Sequence, residues 1–68
     1  KLSARNVLKG KVVGVEPGVV TTIVRMTLGG GAVVTSSITR AAADELRLAV
    51  GDEAFAVIKA SDVMVGKP

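Results

Sequence analysis

Residues 39–46 read Thr-Arg-Ala-Ala-Ala-Asp-Glu-Leu, and they interrupt a sequence that is otherwise rich in β-strand residues. All but one of the residues that follow Thr39 are acceptable or good helix formers. Thr39 can act as the N-cap, because its side-chain oxygen can accept a hydrogen bond from a free N–H group of the first helical turn. We therefore predict one short helix that begins after Thr39.

Three strands are predicted before this helix, because Val, Ile and Thr suit a half-buried pleated surface. They cover residues 8–16, 19–28 and 32–38. Glu-Pro-Gly at residues 16–18 marks the first turn, and the triple glycine at residues 29–31 marks the second. The glycines within the first strand are predicted to be bulge or bend points, at Gly10 and Gly14.

Two further strands are predicted after the helix, at residues 53–59 and 62–65. Three strands, a short helix and two strands follow one another in the order of an OB-fold. We therefore expect an all-β fold, a five-stranded OB-fold-like barrel with one short helix between strands 3 and 4. An SH3-like barrel of similar size is the alternative.

The length and composition favour assembly with other subunits. A chain of 68 residues is expected to form one domain, and it buries only about 60% of its unfolded surface when it folds alone. The sequence has no Cys and no His, which excludes a disulfide, a thiolate metal site and the commonest neutral metal ligand. Oligomerisation is the remaining way to stabilise so short a chain, and a hydrophobic content of 49% is consistent with it.

The charge and aromatic content disfavour nucleic acid and membranes as partners. Proteins that hold single-stranded nucleic acid stack bases on several aromatic rings, whereas this chain has only Phe55, which we predict to lie in the core. An oligonucleotide-binding module stays an alternative, because OB-folds often bind oligonucleotides and the net charge of +3 permits it. No signal peptide or membrane span is apparent, so we expect a cytoplasmic protein.

The residues that catalysis usually requires are poorly represented. The four serines have no His to activate them, and most of the carboxylates lie in or beside predicted turns or the helix. No glycine motif of a phosphate-binding loop is present. We predict that the chain is not an enzyme and holds no metal cation.

Three sets of hydrogen-bond donors instead suit a tetrahedral oxyanion. They are Ser-Ala-Arg-Asn at residues 3–6, Thr39 at the helix N-terminus and Lys-Ala-Ser at residues 59–61. A fully ionised dianion only accepts hydrogen bonds, so a donor set with the two cations of Arg5 and Lys59 matches it. Each set also has a structural interpretation as surface charge, helix cap or turn, and spacing alone leaves both interpretations open.

The motifs resemble those of the Mop (molbindin) domain, within the transport-associated OB group. Ser-Ala-Arg-Asn-x-Leu-Lys-Gly-Lys-Val at residues 3–12, Gly-Val-Val-Thr at 18–21 and Val-Ile-Lys-Ala-Ser-Asp-Val-Met at 57–64 occur in the family's order. The resemblance implies a single Mop domain over residues 1–68, assembled as a hexamer from a trimer of dimers. It also implies an intracellular store that binds molybdate or tungstate between subunits and needs no cofactor.

The resemblance assigns the oxyanion-binding role residue by residue. The residues are Ser3, Ala4, Arg5, Asn6, Thr39, Lys59, Ala60 and Ser61. For Asn6, holding the turn is the alternative role. Many relatives carry Ser at the position of Ala60. If the Ala60 N–H is the donor, nothing is lost; if a hydroxyl is needed, Ser61 must supply it or the site is weaker.

The resemblance also suggests how subunits share the site. We expect the Ser-Ala-Arg of one chain to lie near Lys59 and Ala60 of another. Because the same domain occurs in molybdate-responsive regulators and importer ATPases, a structural oligomerisation domain of such a protein is a further alternative.

Overall fold

The computed structural model describes residues 6–68, which form one antiparallel sheet, one α-helix and one 3-10 helical turn. The elements are β1 (Asn6–Pro17), β2 (Thr21–Gly29), β3 (Ala32–Thr39), α1 (Arg40–Leu46), β4 (Glu53–Ile58) and the 3-10 turn (Ala60–Asp62). The strands lie in the order β3-β2-β1-β4. The all-β fold class is thus confirmed, with one short helix between the third and fourth strands. Within the described part of the chain, no helix has the length and apolar character needed to cross a membrane.

Strand β1 pairs with two different strands along its length. Its first half pairs with β4, from Asn6 opposite Ile58 to Lys11 opposite Glu53, and its second half pairs with β2. The register shifts between Val12 and Gly14, which confirms Gly14 as a bulge point. A bulge increases the local twist and bends the strand, so β1 can follow the curve of a barrel.

The close approach of β1 to β2 explains why residue 10 of β1 is a glycine. A Cβ atom at Gly10 would lie 2.5 Å from the carbonyl oxygen of Thr27 and 2.9 Å from the Leu28 side chain. Only a residue without a Cβ fits this spacing without a backbone shift.

The core is small for a chain of this length. Within residues 6–68, the buried apolar side chains are Val12, Val24, Met26 and Ala43. The first three form one cluster on the inner face of β1 and β2, and Ala43 belongs to α1. A core of this size leaves most of the hydrophobic residues of the chain partly or fully exposed.

The prediction that Phe55 lies in the core is wrong, because its side chain is 63% exposed. Along β4, burial alternates, so Ala54, Ala56 and Ile58 face inward while Phe55 and Val57 face outward. The run from 54 to 58 is apolar on both faces, so its composition did not indicate which face points inward. The register with β1 decides this.

The predicted fifth strand at residues 62–65 does not form in the described chain. The N–H of Asp62 donates to the carbonyl of Lys59 (2.9 Å), and the N–H of Val63 donates to that of Ala60 (3.3 Å), which makes a 3-10 turn. Beyond this turn, Met64 and Val65 are each 94% exposed and pair with no strand within residues 6–68. A strand needs a partner edge, and this segment does not reach one.

A groove remains open between the two edge strands, β3 and β4. It has a volume of about 360 Å³. Its lining is mainly apolar and includes Met26, Val34, Ile38, Ala56, Val57 and Ile58.

One buried polar group is unsatisfied and generates a stability prediction. Thr22 is 1% exposed, and its hydroxyl has no hydrogen-bond partner among the described residues. Such a group costs about 1–3 kcal/mol. We therefore expect Thr22→Val to raise the free energy of unfolding by roughly 1 kcal/mol, measured by denaturant unfolding.

Thr27 in the same strand provides the control. Its hydroxyl is exposed and donates to the carbonyl of Ala32 (3.5 Å), so Thr27→Val should give no gain in stability. Equal stabilisation by both substitutions would show that β-propensity, and not the buried hydroxyl, is responsible.

Candidate functional site

The structure describes only part of the opening donor set, residues 3–6. Ser3, Ala4 and Arg5 lie outside the described residues. Asn6 begins β1, directly opposite Ile58 at the end of β4. Its side-chain Nδ2 donates to the carbonyl of Ile58 (3.3 Å). Asn6 thus has a structural role, which is to tie the beginning of β1 to the end of β4.

This pairing brings the described part of the opening motif (residues 3–12) and the closing motif (residues 57–64) together at one end of the sheet within a single chain. Asn6 follows Arg5 in the sequence, and Ile58 precedes Lys59. Residues opposite each other in an antiparallel pair have Cα atoms about 4.5–5.5 Å apart. Motifs more than 50 residues apart in sequence therefore meet at this end.

The closing donor set, residues 59–61, presents hydrogen-bond donors to solvent. Lys59, Ala60 and Ser61 are all exposed. The 3-10 turn engages the N–H groups of Asp62 and Val63 but, among residues 6–68, provides no backbone acceptor for those of Ala60 and Ser61. Within residues 6–68, these two consecutive N–H groups beside Lys59 therefore have no backbone partner.

The electrostatic surroundings of Lys59 favour an anion. Within the described residues, its Nζ forms no salt bridge, whereas the Nζ of Lys9 lies 3.6 Å from a carboxylate oxygen of Glu53. The charge of Lys59 is therefore not compensated by a near carboxylate of this part of the chain, and it can act on a bound anion.

Thr39 caps helix α1, as predicted. Its Oγ1 accepts a hydrogen bond from the N–H of Ala42 (3.1 Å). The hydroxyl hydrogen is not used in this bond and can still donate. The first turn of α1 contains no acidic side chain, so no carboxylate of this turn opposes an anion there.

The groove relates Thr39 to the closing set. Ile38 and Ile58 both line the groove, and each is followed directly by one of the predicted ligands, Thr39 or Lys59. The structure thus brings Asn6, Lys59, Ala60 and Ser61 together at one end of the β1–β4 pair. It places Thr39 on the other flank of the groove.

A second depression lies where β1 passes the end of β2, and sequence reasoning assigned no role to it. It has a volume of about 420 Å³, and Lys9, Lys11, Thr27 and Glu53 contribute to its lining. The two lysines were visible in the opening motif, but the position of Glu53 opposite Lys11 depends on strand register. No cluster of three or more His, Cys, Asp or Glu side chains occurs within residues 6–68.

Comparison with known proteins places this geometry in a family. Residues 2–65 match the TOBE domain. A probable molybdenum-pterin-binding protein of Haemophilus influenzae is 58% identical over 66 residues, which cover 97% of this chain and 96% of that protein.

Two solved structures resemble the fold closely. MopII from Clostridium pasteurianum superposes with a TM-score of 0.90 at 46% identity, over 98% of this chain and 100% of that chain. The cytoplasmic molybdate-binding protein ModG, with molybdate bound, gives a TM-score of 0.92 at 48% identity, over 100% of this chain and 48% of that chain. The resemblance inferred from the motifs is confirmed, and the chain belongs to the TOBE domain family, among the molybdenum-pterin-binding (Mop) proteins.

Proposed function

We propose that this chain binds molybdate or tungstate as an intact oxyanion and stores it in the cytoplasm, at subunit interfaces of a homo-oligomer. The observation that carries the proposal is the meeting of the opening motif with the donors of Lys59, Ala60 and Ser61 through the Asn6–Ile58 pair. The likeness to ModG, whose structure holds molybdate, supports the choice of anion.

The donor set accounts for selectivity by protonation state. Every group of the set can donate to a dianion. The groups are the Lys59 ammonium, the N–H groups of Ala60 and Ser61, and the Ser61 hydroxyl. A protonated anion would point an O–H group at other donors, where it finds no acceptor. Such an unpaired polar group lowers the affinity of the site for that anion. Phosphate is partly protonated near neutral pH and is therefore disfavoured. Cavity size would then separate molybdate and tungstate from the smaller sulfate.

Binding without chemical change follows from the same residues. The sequence has no His or Cys, which are the usual bases and nucleophiles of group transfer. The similar proteins carry the names of binding proteins. Both observations support a store that releases the oxyanion unaltered and requires no cofactor.

The small core supports the homo-oligomer. Large apolar side chains such as Val19, Phe55 and Met64 are mostly exposed in the single chain, and burying apolar surface against another subunit is favourable. We infer a homo-oligomer of the kind that the family resemblance implies, a hexamer built as a trimer of dimers. In it, the opening and closing motifs of one chain would face Thr39 of another.

The strand pairing supports a site in which Asn6 and Lys59 come from the same chain. The expectation that Ser-Ala-Arg of one chain lies near Lys59 and Ala60 of another stays a prediction, because residues 3–5 lie outside the described residues. Thr39, on the far flank of the groove, is then the residue for a second chain to supply.

Calorimetric titration with molybdate tests the proposal directly. We expect a dissociation constant of about 1 μM or tighter, equivalent to roughly 8 kcal/mol, and little response to sulfate or phosphate. Absence of both heat and thermal stabilisation with molybdate and tungstate would remove the storage function.

Substitution of Lys59 tests its role in the donor set. Because charge-assisted hydrogen bonds contribute about 1.5–3 kcal/mol, Lys59→Gln should weaken molybdate binding by roughly 10- to 100-fold, measured by the same titration. Lys67→Gln removes the same charge from another exposed lysine and should leave the affinity unchanged. If both substitutions weaken binding equally, general charge and not a defined contact holds the anion.

The exposed Phe55 calls for a test of the oligonucleotide alternative. It offers one stacking surface, whereas proteins that hold single strands use several. We expect no change in fluorescence anisotropy when a labelled single-stranded oligonucleotide is titrated with the protein at low salt. Binding that weakens steeply with added salt would favour the alternative.

A further inference from the structure

The ladder between β1 and β4 ends directly beside both predicted donor sets. Within residues 6–68, Asn6 and Ile58 form its last pair, and the closing donor set follows Ile58 directly. The end of a strand pair opens more easily than its centre, because fewer contacts hold it. The neighbouring pair adds little here, since the side chains of Val7 and Val57 are at least half exposed. The closing donor set therefore follows a ladder end that needs a further contact to stay fixed.

Asn6 supplies such a contact through its side chain. Its Nδ2 donates to the carbonyl oxygen of Ile58 (3.3 Å), and the bond is partly buried. A hydrogen bond that is shielded from water is electrostatically stronger than an exposed one. The acceptor also identifies the donating atom as the amide nitrogen, because a carbonyl oxygen can only accept.

The acceptor of this bond belongs to the peptide group that leads into the closing donor set. The carbonyl of Ile58 and the N–H of Lys59 share one rigid peptide plane, so an amide that fixes the carbonyl also fixes the direction in which the chain enters Lys59. Lys59 then has φ −64° and ψ 133°, and its own carbonyl accepts from the N–H of Asp62 (2.9 Å). The N–H groups within the 3-10 turn thus have an orientation that begins at the Asn6 amide.

We propose that Asn6 is a positioning residue of the oxyanion site and is not one of its ligands. Its amide holds the peptide group between Ile58 and Lys59, so that the closing donor set is directed at the anion before the anion arrives. This role rests on the oxyanion binding of the proposed function, and it replaces the direct contact that the family resemblance assigns to Asn6. Donors arranged in advance bind more tightly, because less ordering is needed on binding.

Positioning of the donors also affects selectivity. Molybdate and the smaller sulfate carry the same charge, so donors held at fixed distances are needed to separate them by size. A site that loses its supporting contacts becomes looser and fits both anions more equally. We therefore expect loss of the Asn6 contact to lower the ratio of molybdate affinity to sulfate affinity, which a loss of overall stability alone would not change.

NMR relaxation of the ligand-free protein tests the positioning itself. Asn6→Leu removes the amide donor at similar side-chain size. We expect the N–H order parameters of residues 59–61 to fall from about 0.85, typical of a rigid backbone, to below about 0.6, while those of the core strands stay unchanged. Thr27→Val is the matched control, because it also removes a side-chain hydrogen bond to a carbonyl (3.5 Å). Thr27 pairs with Lys11, at the other end of the β1–β4 ladder, so this variant should keep residues 59–61 rigid.

Calorimetric titration then links the positioning to binding. Asn6→Leu should weaken molybdate binding by roughly tenfold, weaken sulfate binding less, and leave Thr27→Val as the unaffected reference. In a Lys59→Gln background, the same Asn6 substitution should weaken molybdate binding by about threefold or less, because residues that act through one another are not additive.

Each other outcome overturns the positioning role. Unchanged order parameters at residues 59–61 in Asn6→Leu would show that the amide does not hold the turn. Equal losses of affinity with and without Lys59→Gln would make Asn6 an independent ligand. An unchanged ratio of molybdate to sulfate affinity would reduce Asn6 to a contributor to stability. A wild type that binds neither molybdate nor tungstate would overturn the proposed function as well, and the order parameters are measured without ligand, so the two failures are distinguishable.

Discussion

The shared pairing of β1 is the constraint on which the rest of the structure depends. One strand supplies backbone partners to β4 in its first half and to β2 in its second, with a bulge between Val12 and Gly14 inside the part that pairs with β2. This arrangement curls the sheet and buries Val12 at the bend. It also ties Asn6 to Ile58, so the position of the donor set follows from the same ladder that forms the core.

Local signals in the sequence were sufficient for the elements whose cause is local. Thr39 and the alanine run that follows predicted α1 and its cap, because capping involves only neighbouring residues. Gly14 marked the bulge, and the glycines at 29–31 marked the β2–β3 turn, where all three have positive φ. For the candidate site, the motifs predicted the donors, and the structure shows that Asn6 pairs with Ile58, the residue before Lys59.

Features that depend on distant partners were not predictable in the same way. The run containing Phe55 has no polar alternation, so only its register with β1 shows that the ring faces outward. The fifth strand failed for a related reason, because residues 62–65 have strand composition but no free edge within reach. The composition of a segment indicates that it can form a strand, but it does not indicate whether a partner strand lies in the same chain.

The open edges of β3 and β4 also have a consequence for how this protein behaves at high concentration. The backbone N–H and C=O groups on the outer side of an edge strand are unpaired, and they form a template for pairing with another chain. Within residues 6–68, β3 and β4 are the edge strands of the sheet, so unspecific pairing between molecules becomes more frequent as the concentration rises. A charged side chain or a proline introduced on the outer side of either strand would oppose this aggregation.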